Sequence, residues 1–257
     1  MSELPAFANY VPDDRSVCYR RAGDVVTHVV AKSGVDVDEL TQERWRECAG
    51  LMREYDTFAD EVCPDNGQAL AVLRDFSLFA PRYPELRPDS LGQPAFDTVA
   101  DHVQTILHLG GLIATETSVD RYIDLRKEEA AYTVRAFGAA ATSHVQQQDA
   151  FPAAMQRVTA LSITANMGDS ILDARGDFQT GKSQLPPSWE LYKKLLLEAA
   201  RSGKPHIGYV LDGEGVKLRA KMIRDRVVNR VRHGVTPYSN LHVAMSFLRG
   251  RQAHPGQ

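Results

Sequence analysis

Side chains that carry oxygen atoms recur at helical spacing within residues 166–186, NMGDSILDARGDFQTGKSQLP. They are Asn166, Asp169, Ser170, Asp173 and Asp177. Spacings of three and four residues place such side chains along one face of a helix. Carboxylates four residues apart repel each other by about 0.2–0.5 kcal/mol per pair. The row of aspartates therefore predicts a cation that offsets the repulsion.

A second acidic pair lies upstream in the stretch YDTFAD, where Asp56 and Asp60 are also four residues apart. If the two stretches face each other across a helical bundle, their carboxylates form a site suited to Mg²⁺. This ion takes hard oxygen ligands and is commonly bound through a few carboxylates together with substrate phosphates. Such a metal would connect the protein to a diphosphate and help the diphosphate leave as an anion. The two stretches together predict Mg²⁺ as the cofactor.

The two acidic stretches resemble the metal-binding motifs of class I isoprenoid synthases, the all-α family that contains terpene cyclases, prenyltransferases and squalene/phytoene synthases. YDTFAD matches an Asp-x-x-x-Asp form of the first motif. The second motif fits in two registers. In one, Asn166 and Ser170 match the start of the cyclase Asn/Ser/Glu triad, with Ala174 at the glutamate position. The other is the phytoene-synthase-like spacing Asp-x-x-x-Asp-x-x-x-Gly-Arg-x-x-Leu-Pro, matched by Asp173, Asp177, Gly181, Lys182, Leu185 and Pro186.

A third feature of the resemblance lies in SVDRYIDLRKEEAAY, residues 118–132. It is similar to the Tyr-x-x-x-Arg stretch of terpene cyclases, with Tyr122 and Arg126 in those places. The resemblance implies that Arg126 senses diphosphate, a role that suits the planar guanidinium fork because it can hold two phosphate oxygens. The alternative is a structural one, in which Glu128 or Glu129 pairs with neighbouring cations on the same helix.

The resemblance implies a magnesium-dependent terpene synthase, a lyase of isoprenoid biosynthesis that ionises an allylic prenyl diphosphate and guides cyclisation of the carbocation. The implied catalytic residues are Asp56, Asp60, Arg126 and Asp173. The implied diphosphate-binding residues are Arg126 and Lys182. The implied metal ligands are Asp56, Asp60, Asn166, Asp169, Ser170, Asp173 and Asp177.

Two other functions are open from the sequence. The first is a prenyltransferase or a head-to-head synthase of the phytoene/squalene type, within the same family. The second is a non-catalytic helical binding module that uses the basic stretch KLRAKMIRDRVVNRVRHG, residues 217–234. The prenyl chain length and the product skeleton are not specified by any of these patterns.

The composition is that of a globular protein, since 43% of the 257 residues are apolar and 25% are charged. We expect one domain spanning residues 1–257 and no binding to nucleic acid, because a net charge of −3 gives no overall attraction to polyanions. The three cysteines form no zinc-ligand pattern and their odd number argues against a disulfide scaffold. No signal-peptide pattern and no run of about 18 apolar residues occurs, so we expect a cytoplasmic protein without a membrane span. A homodimer is compatible with the sequence.

Apolar residues recur at helical rather than alternating spacing, which predicts an all-α, single-domain helical bundle. The predicted helices span residues 15–32, 40–62, 67–79, 96–114, 118–147, 152–178, 188–202, 214–233 and 239–250. Four prolines predict a loop over residues 81–94. The stretch HIGYVL, residues 206–211, is either a strand or a helix end with a turn. Gly110 and Gly111 mark either a break within a helix or its end.

Overall fold

The computed structural model describes residues 14–57 and 82–211, together with residues 215 and 217, and the side chains of residues 14–18 and 55–57 lie outside this description. Within these ranges the chain forms eight α-helices, two 3₁₀ turns and no strand, which confirms the all-α prediction for the described residues. The helices are α1 (Asp14–Lys32), α2 (Glu39–Thr57), α3 (Pro88–Leu91), α4 (Gln93–Thr115), α5 (Val119–Ala140), α6 (Ser143–Gln146), α7 (Phe151–Gln179) and α8 (Trp189–Gly203). The 3₁₀ turns are Pro84–Leu86 and Ile207–Tyr209. None of the described helices is long and apolar enough to cross a membrane.

Most helix predictions that fall on described residues agree with the structure. The predicted helix 118–147 does not, because α5 ends at Ala140 and α6 begins at Ser143. Thr142 lies in the break, where its backbone N–H donates to Thr41 Oγ1 at 3.0 Å and its hydroxyl donates to Asp38. These bonds satisfy Thr142 outside a helix and tie the break to the start of α2. The predicted helices 67–79 and 239–250 lie outside the described residues, as do residues 58–62 and nearly all of 214–233.

The predicted loop over residues 81–94 is largely helical instead. Pro84 opens the first 3₁₀ turn, Pro88 opens α3, and Pro94 is the second residue of α4. Proline is tolerated in the first turn of a helix because its missing N–H would have no intrahelical acceptor there. The stretch 206–211 forms a 3₁₀ turn, in agreement with the helix-end interpretation rather than with a strand.

One cluster of buried side chains joins α1 and α2 to the 83–91 segment, the start of α4, the second half of α5 and the first half of α7. The backbones of α1 and α2 meet at Gly23, where an added Cβ would lie 2.5 Å from the backbone nitrogen of Arg46. Trp45 is fully buried in this cluster and donates its indole N–H to the carbonyl oxygen of Phe137 at 2.7 Å. This bond connects α2 to α5.

A second buried cluster joins the end of α4, the start of α5, the second half of α7 and α8. Gly181 ends α7 with a φ of +75°, a left-handed conformation that favours glycine. The following residues cross back to α4, where the N–H of Gln184 donates to the carbonyl oxygen of Ala114 at 2.9 Å. Leu185 is buried in the cluster as a result. The continuous α4 runs through Gly110 and Gly111, so neither a break nor an end occurs at that pair.

Helix α7 is the centre of this arrangement because it contacts α1, α5, α6 and α8. Only seven of its 29 residues are exposed. Its first half contributes Ala154, Val158 and Leu161 to the first buried cluster, and its second half contributes Met167 and Ala174 to the second. The acidic row therefore lies on a helix that is packed on several sides.

Candidate functional site

The candidate site lies where α5 packs against α7. On α5, Tyr122, Arg126 and Glu129 follow one another at spacings of four and three residues, which places them along one face of the helix. On α7, Asn166 and Ser170 are four residues apart and face them. Tyr122 contacts Ser170, and Arg126 further along α5 contacts Asn166, which comes earlier on α7. The two helices are therefore antiparallel.

A chain of hydrogen bonds connects the two helices. The Tyr122 hydroxyl donates to Ser170 Oγ at 3.2 Å, and Arg126 Nε donates to the Tyr122 hydroxyl at 3.3 Å. Arg126 Nη1 donates to Glu129 Oε2 at 3.0 Å. Asn166 Nδ2 donates to the same Glu129 oxygen at 3.2 Å and to the backbone oxygen of Arg126 at 3.4 Å. We call these five residues the α5–α7 polar network.

The network lies largely inside the protein. Tyr122 and Ser170 are buried, whereas the side chains of Arg126 and Glu129 are 24% and 17% exposed. Burial by itself would lower the pKa of the Arg126 guanidinium, but the charge of Glu129 and the contact with Tyr122 raise it above its ordinary value. The guanidinium also lies over the Tyr122 ring, 5.5 Å from its centroid. Arg126 is therefore a firmly charged cation with a fixed position.

The acidic row continues from the network along α7. Asp169, Asp173 and Asp177 are half-buried residues of this helix, and their spacing keeps them on the side that carries Asn166 and Ser170. Lys182 is exposed in the turn that follows α7. The predicted residues of the second motif thus share one helix and the turn after it, and two of them contact the α5 helix that carries Arg126.

The first predicted motif is beyond what the structure describes. Asp56 belongs to α2, but its side chain lies outside the described atoms, and Asp60 lies outside the described residues. In the part of the chain that is described, no three His, Cys, Asp or Glu side chains are grouped closely enough to hold a metal ion. The metal-site prediction, which needs both motifs, stays a prediction.

A groove of about 610 Å³ opens between α5 and α8, to one side of the α5 face that carries Arg126. Its charged lining residues are Asp120, Asp124, Lys127, Lys194, Glu198 and Arg201. Several of them pair with each other, as in the contact of 2.7 Å between Lys194 Nζ and Asp120 Oδ1. The lining residues that the structure describes therefore carry no excess of positive charge that would select a diphosphate.

Glu129 is the network residue that sequence reasoning did not single out as a site residue. The sequence contains the signal, since Arg126 and Glu129 have the i,i+3 spacing of a helical ion pair. Glu128 has the same chemistry one residue earlier, but it is exposed. The choice between the two depends on which residue faces α7, and that is a property of the packing.

Comparison with protein-family models, with curated proteins and with solved structures found no match to this chain.

Proposed function

We propose that this protein is a magnesium-dependent class I isoprenoid synthase, most specifically a terpene cyclase that acts on an allylic prenyl diphosphate. One observation carries the proposal. Tyr122 and Arg126, which resemble the diphosphate-sensing stretch of the family, meet Asn166 and Ser170, which resemble part of its second metal motif. These pairs are separated by at least 40 positions in the sequence, so their contact in the fold is additional to their resemblance as motifs.

In this proposal Arg126 binds the diphosphate. Its guanidinium is charged and is held by Tyr122, and the Arg126 side chain as a whole is 24% exposed. Bonds from a guanidinium to phosphate are charge-assisted and stronger than neutral ones. Lys182 would add a second cation from the turn after α7. Both cations would stabilise the negative charge that develops on the diphosphate as its bond to the prenyl carbon breaks.

The donor set of the α7 face fits Mg²⁺, which prefers carboxylate, amide and hydroxyl oxygens. Mg²⁺ ions would be held there by Asn166 and Ser170 or by Asp169, Asp173 and Asp177, according to the register of the second motif. Asp56 and Asp60 would hold metal from the other motif. The ions would neutralise the diphosphate and make it a better leaving group.

The first test is to incubate the purified protein with Mg²⁺ and, in separate reactions, geranyl, farnesyl and geranylgeranyl diphosphate. Released diphosphate and extractable hydrocarbons are measured with and without EDTA. We expect release that depends on the metal, with a cyclic product from a single substrate. Release that requires two prenyl substrates would instead identify a prenyltransferase or a head-to-head synthase.

The second test replaces Asp173 with asparagine. This change keeps the shape of the side chain but removes the charge, so we expect metal-dependent turnover to fall about 100-fold or more. Asp149→Asn is the matched control, because Asp149 is an exposed residue just before α7 and has no place in the proposed site. Full turnover by the Asp173→Asn protein would refute the assignment.

A second candidate function is a helical module that catalyses no reaction. The observation that favours it is the pairing of Arg126 with Glu129, which gives this cation a partner within the protein. In that case the protein would consume no prenyl diphosphate, whether the substrates are supplied singly or in pairs and whichever metal is present. Binding of a macromolecular partner would then be unaffected by Mg²⁺ and by Asp173→Asn.

A further inference from the structure

Glu129 stands in the position that an anionic ligand of Arg126 would take. A single oxygen, Oε2, accepts from Arg126 Nη1 at 3.0 Å and from Asn166 Nδ2 at 3.2 Å. A cationic guanidinium and a neutral amide that converge on one oxygen form the kind of donor pair that binds a phosphate oxygen equally well. The Glu129 carboxylate therefore marks a small anion site between α5 and α7.

We propose that Glu129 is an internal counter-ion that occupies this anion site until the diphosphate displaces it, and that Glu129 thereby sets the affinity of the protein for diphosphate. This inference rests on the proposed function, because it assigns the diphosphate to Arg126. Glu129 touches the binding groups and not the reacting atoms, so it is a residue that controls binding rather than a catalytic one.

The geometry allows such an exchange. Glu129 is 17% exposed and sits on the same helix as Arg126, so its flexible side chain can turn toward solvent without moving either helix. Arg126 stays in place when Glu129 leaves, because the ring and the hydroxyl of Tyr122 hold it from the other side. Ser170 in turn holds the Tyr122 hydroxyl. The donors are thus prearranged and only the acceptor changes.

Competition with an internal carboxylate has a measurable cost. A ligand that must displace an occupant binds more weakly, in proportion to the fraction of molecules in which the site is vacant. A nearby carboxylate also repels the incoming anion, and this repulsion is strong in a partly buried location. Changing Glu129 to glutamine removes the charge and keeps an oxygen that Arg126 and Asn166 can still bond. We therefore expect about tenfold tighter anion binding, or more.

The test measures the affinity for inorganic pyrophosphate by isothermal titration calorimetry, at low ionic strength and without Mg²⁺. We expect Glu129→Gln to bind pyrophosphate about tenfold more tightly than the unmodified protein, or more. Glu128→Gln is the matched control, since Glu128 is the exposed neighbour on the same helix, and its affinity should stay within about twofold. The double variant Arg126→Gln with Glu129→Gln should not show the tighter pyrophosphate binding of Glu129→Gln.

The outcomes separate this inference from the proposed function. Unchanged pyrophosphate affinity in Glu129→Gln, or no binding by any variant, overturns the inference even when the unmodified protein consumes a prenyl diphosphate. Tighter binding without turnover of any prenyl substrate supports the anion site and refutes the enzyme. Glu129→Ala provides a second variant, and thermal melts of each protein identify those that are folded. A purely structural ion pair would lower the melting temperature of Glu129→Gln and leave its pyrophosphate affinity unchanged.

Discussion

The Glu47→Gln variant should gain stability relative to the unmodified protein as the pH rises from 4.5 to 8. The reason is that Glu47 is an ionisable residue with almost no contact with water. Glu47 is a residue of α2, and its side chain is 2% exposed. The carboxylate faces Arg20 on α1 and the backbone N–H of Glu85 in the 3₁₀ turn Pro84–Leu86. Burial raises the pKa of Glu47 to about 7, from an ordinary value of 4.5. The backbone N–H of Glu85 and the guanidinium of Arg20 favour the charged form, whereas the carboxylates of Glu43 and Glu85 oppose it.

The sign and size follow from linkage. The folded protein holds the Glu47 proton more tightly than the unfolded chain, so stability from this group is complete below about pH 4.5 and is lost as the pH rises through about 7. A pKa difference of one corresponds to about 1.4 kcal/mol. The change from 4.5 to about 7 therefore amounts to about 3 kcal/mol of unfolding free energy. Glutamine does not titrate, so the variant escapes this loss.

The assay is urea unfolding followed by far-ultraviolet circular dichroism between pH 4.5 and pH 8, for the unmodified protein and for Glu47→Gln. The difference between their unfolding free energies should move by about 3 kcal/mol in favour of the variant across this range. Glu39→Gln is the control, since Glu39 is an exposed acid on the same helix, and its difference should change little. If the unfolding free energies of the unmodified protein and of Glu47→Gln changed with pH by the same amount, the burial argument would be refuted.

Three further substitutions test the packing of the helices by the same urea unfolding. Gly23→Ala should lower the unfolding free energy by about 1–3 kcal/mol, because its Cβ would collide with the backbone of α2, and a neutral result would contradict the contact of α1 with α2. Gly110→Ala should raise it by about 0.5–1 kcal/mol, since the site is open and helical, whereas a loss of stability would argue against a continuous α4. Trp45→Phe should lower it by about 1–3 kcal/mol by leaving the buried carbonyl of Phe137 without its donor, and unchanged stability would show that water replaces the indole.

Helices α4, α7 and α8 could be predicted to within a few residues because local signals mark them. Their apolar residues recur at helical spacing, Ser188 caps α8 through its hydroxyl, and Gly181 ends α7. The break between α5 and α6 could not be predicted, because it depends on bonds between Thr142 and residues about 100 positions earlier. The loop prediction is wrong at Pro84, Pro88 and Pro94, because proline both ends helices and begins them, and only the actual helix starts distinguish the two cases.

Most residues of the candidate site could be predicted from the sequence, but the hydrogen bonds that connect them could not. Arg126 and Asn166 were both named from the sequence, and the fold brings their helices into contact. Whether Glu128 or Glu129 faces α7 depends on how α5 is oriented about its own axis, and no local pattern specifies that orientation. The roles of Asp56 and Asp60 stay predictions, since the described atoms do not include their side chains.

The α5–α7 polar network also has a consequence for how uniquely the protein folds. Apolar side chains tolerate sliding, so a shift of α7 by one turn along α5 would still bring apolar residues against apolar residues. The same shift would separate Ser170 from Tyr122 and Asn166 from Glu129. It would leave the buried Ser170 hydroxyl without its Tyr122 donor and the Glu129 carboxylate without its Asn166 donor. Polar groups within a core are known to fix the register of packed helices in this way. The network therefore selects one alignment of α5 and α7 over its slipped neighbours, whether or not any ligand binds there.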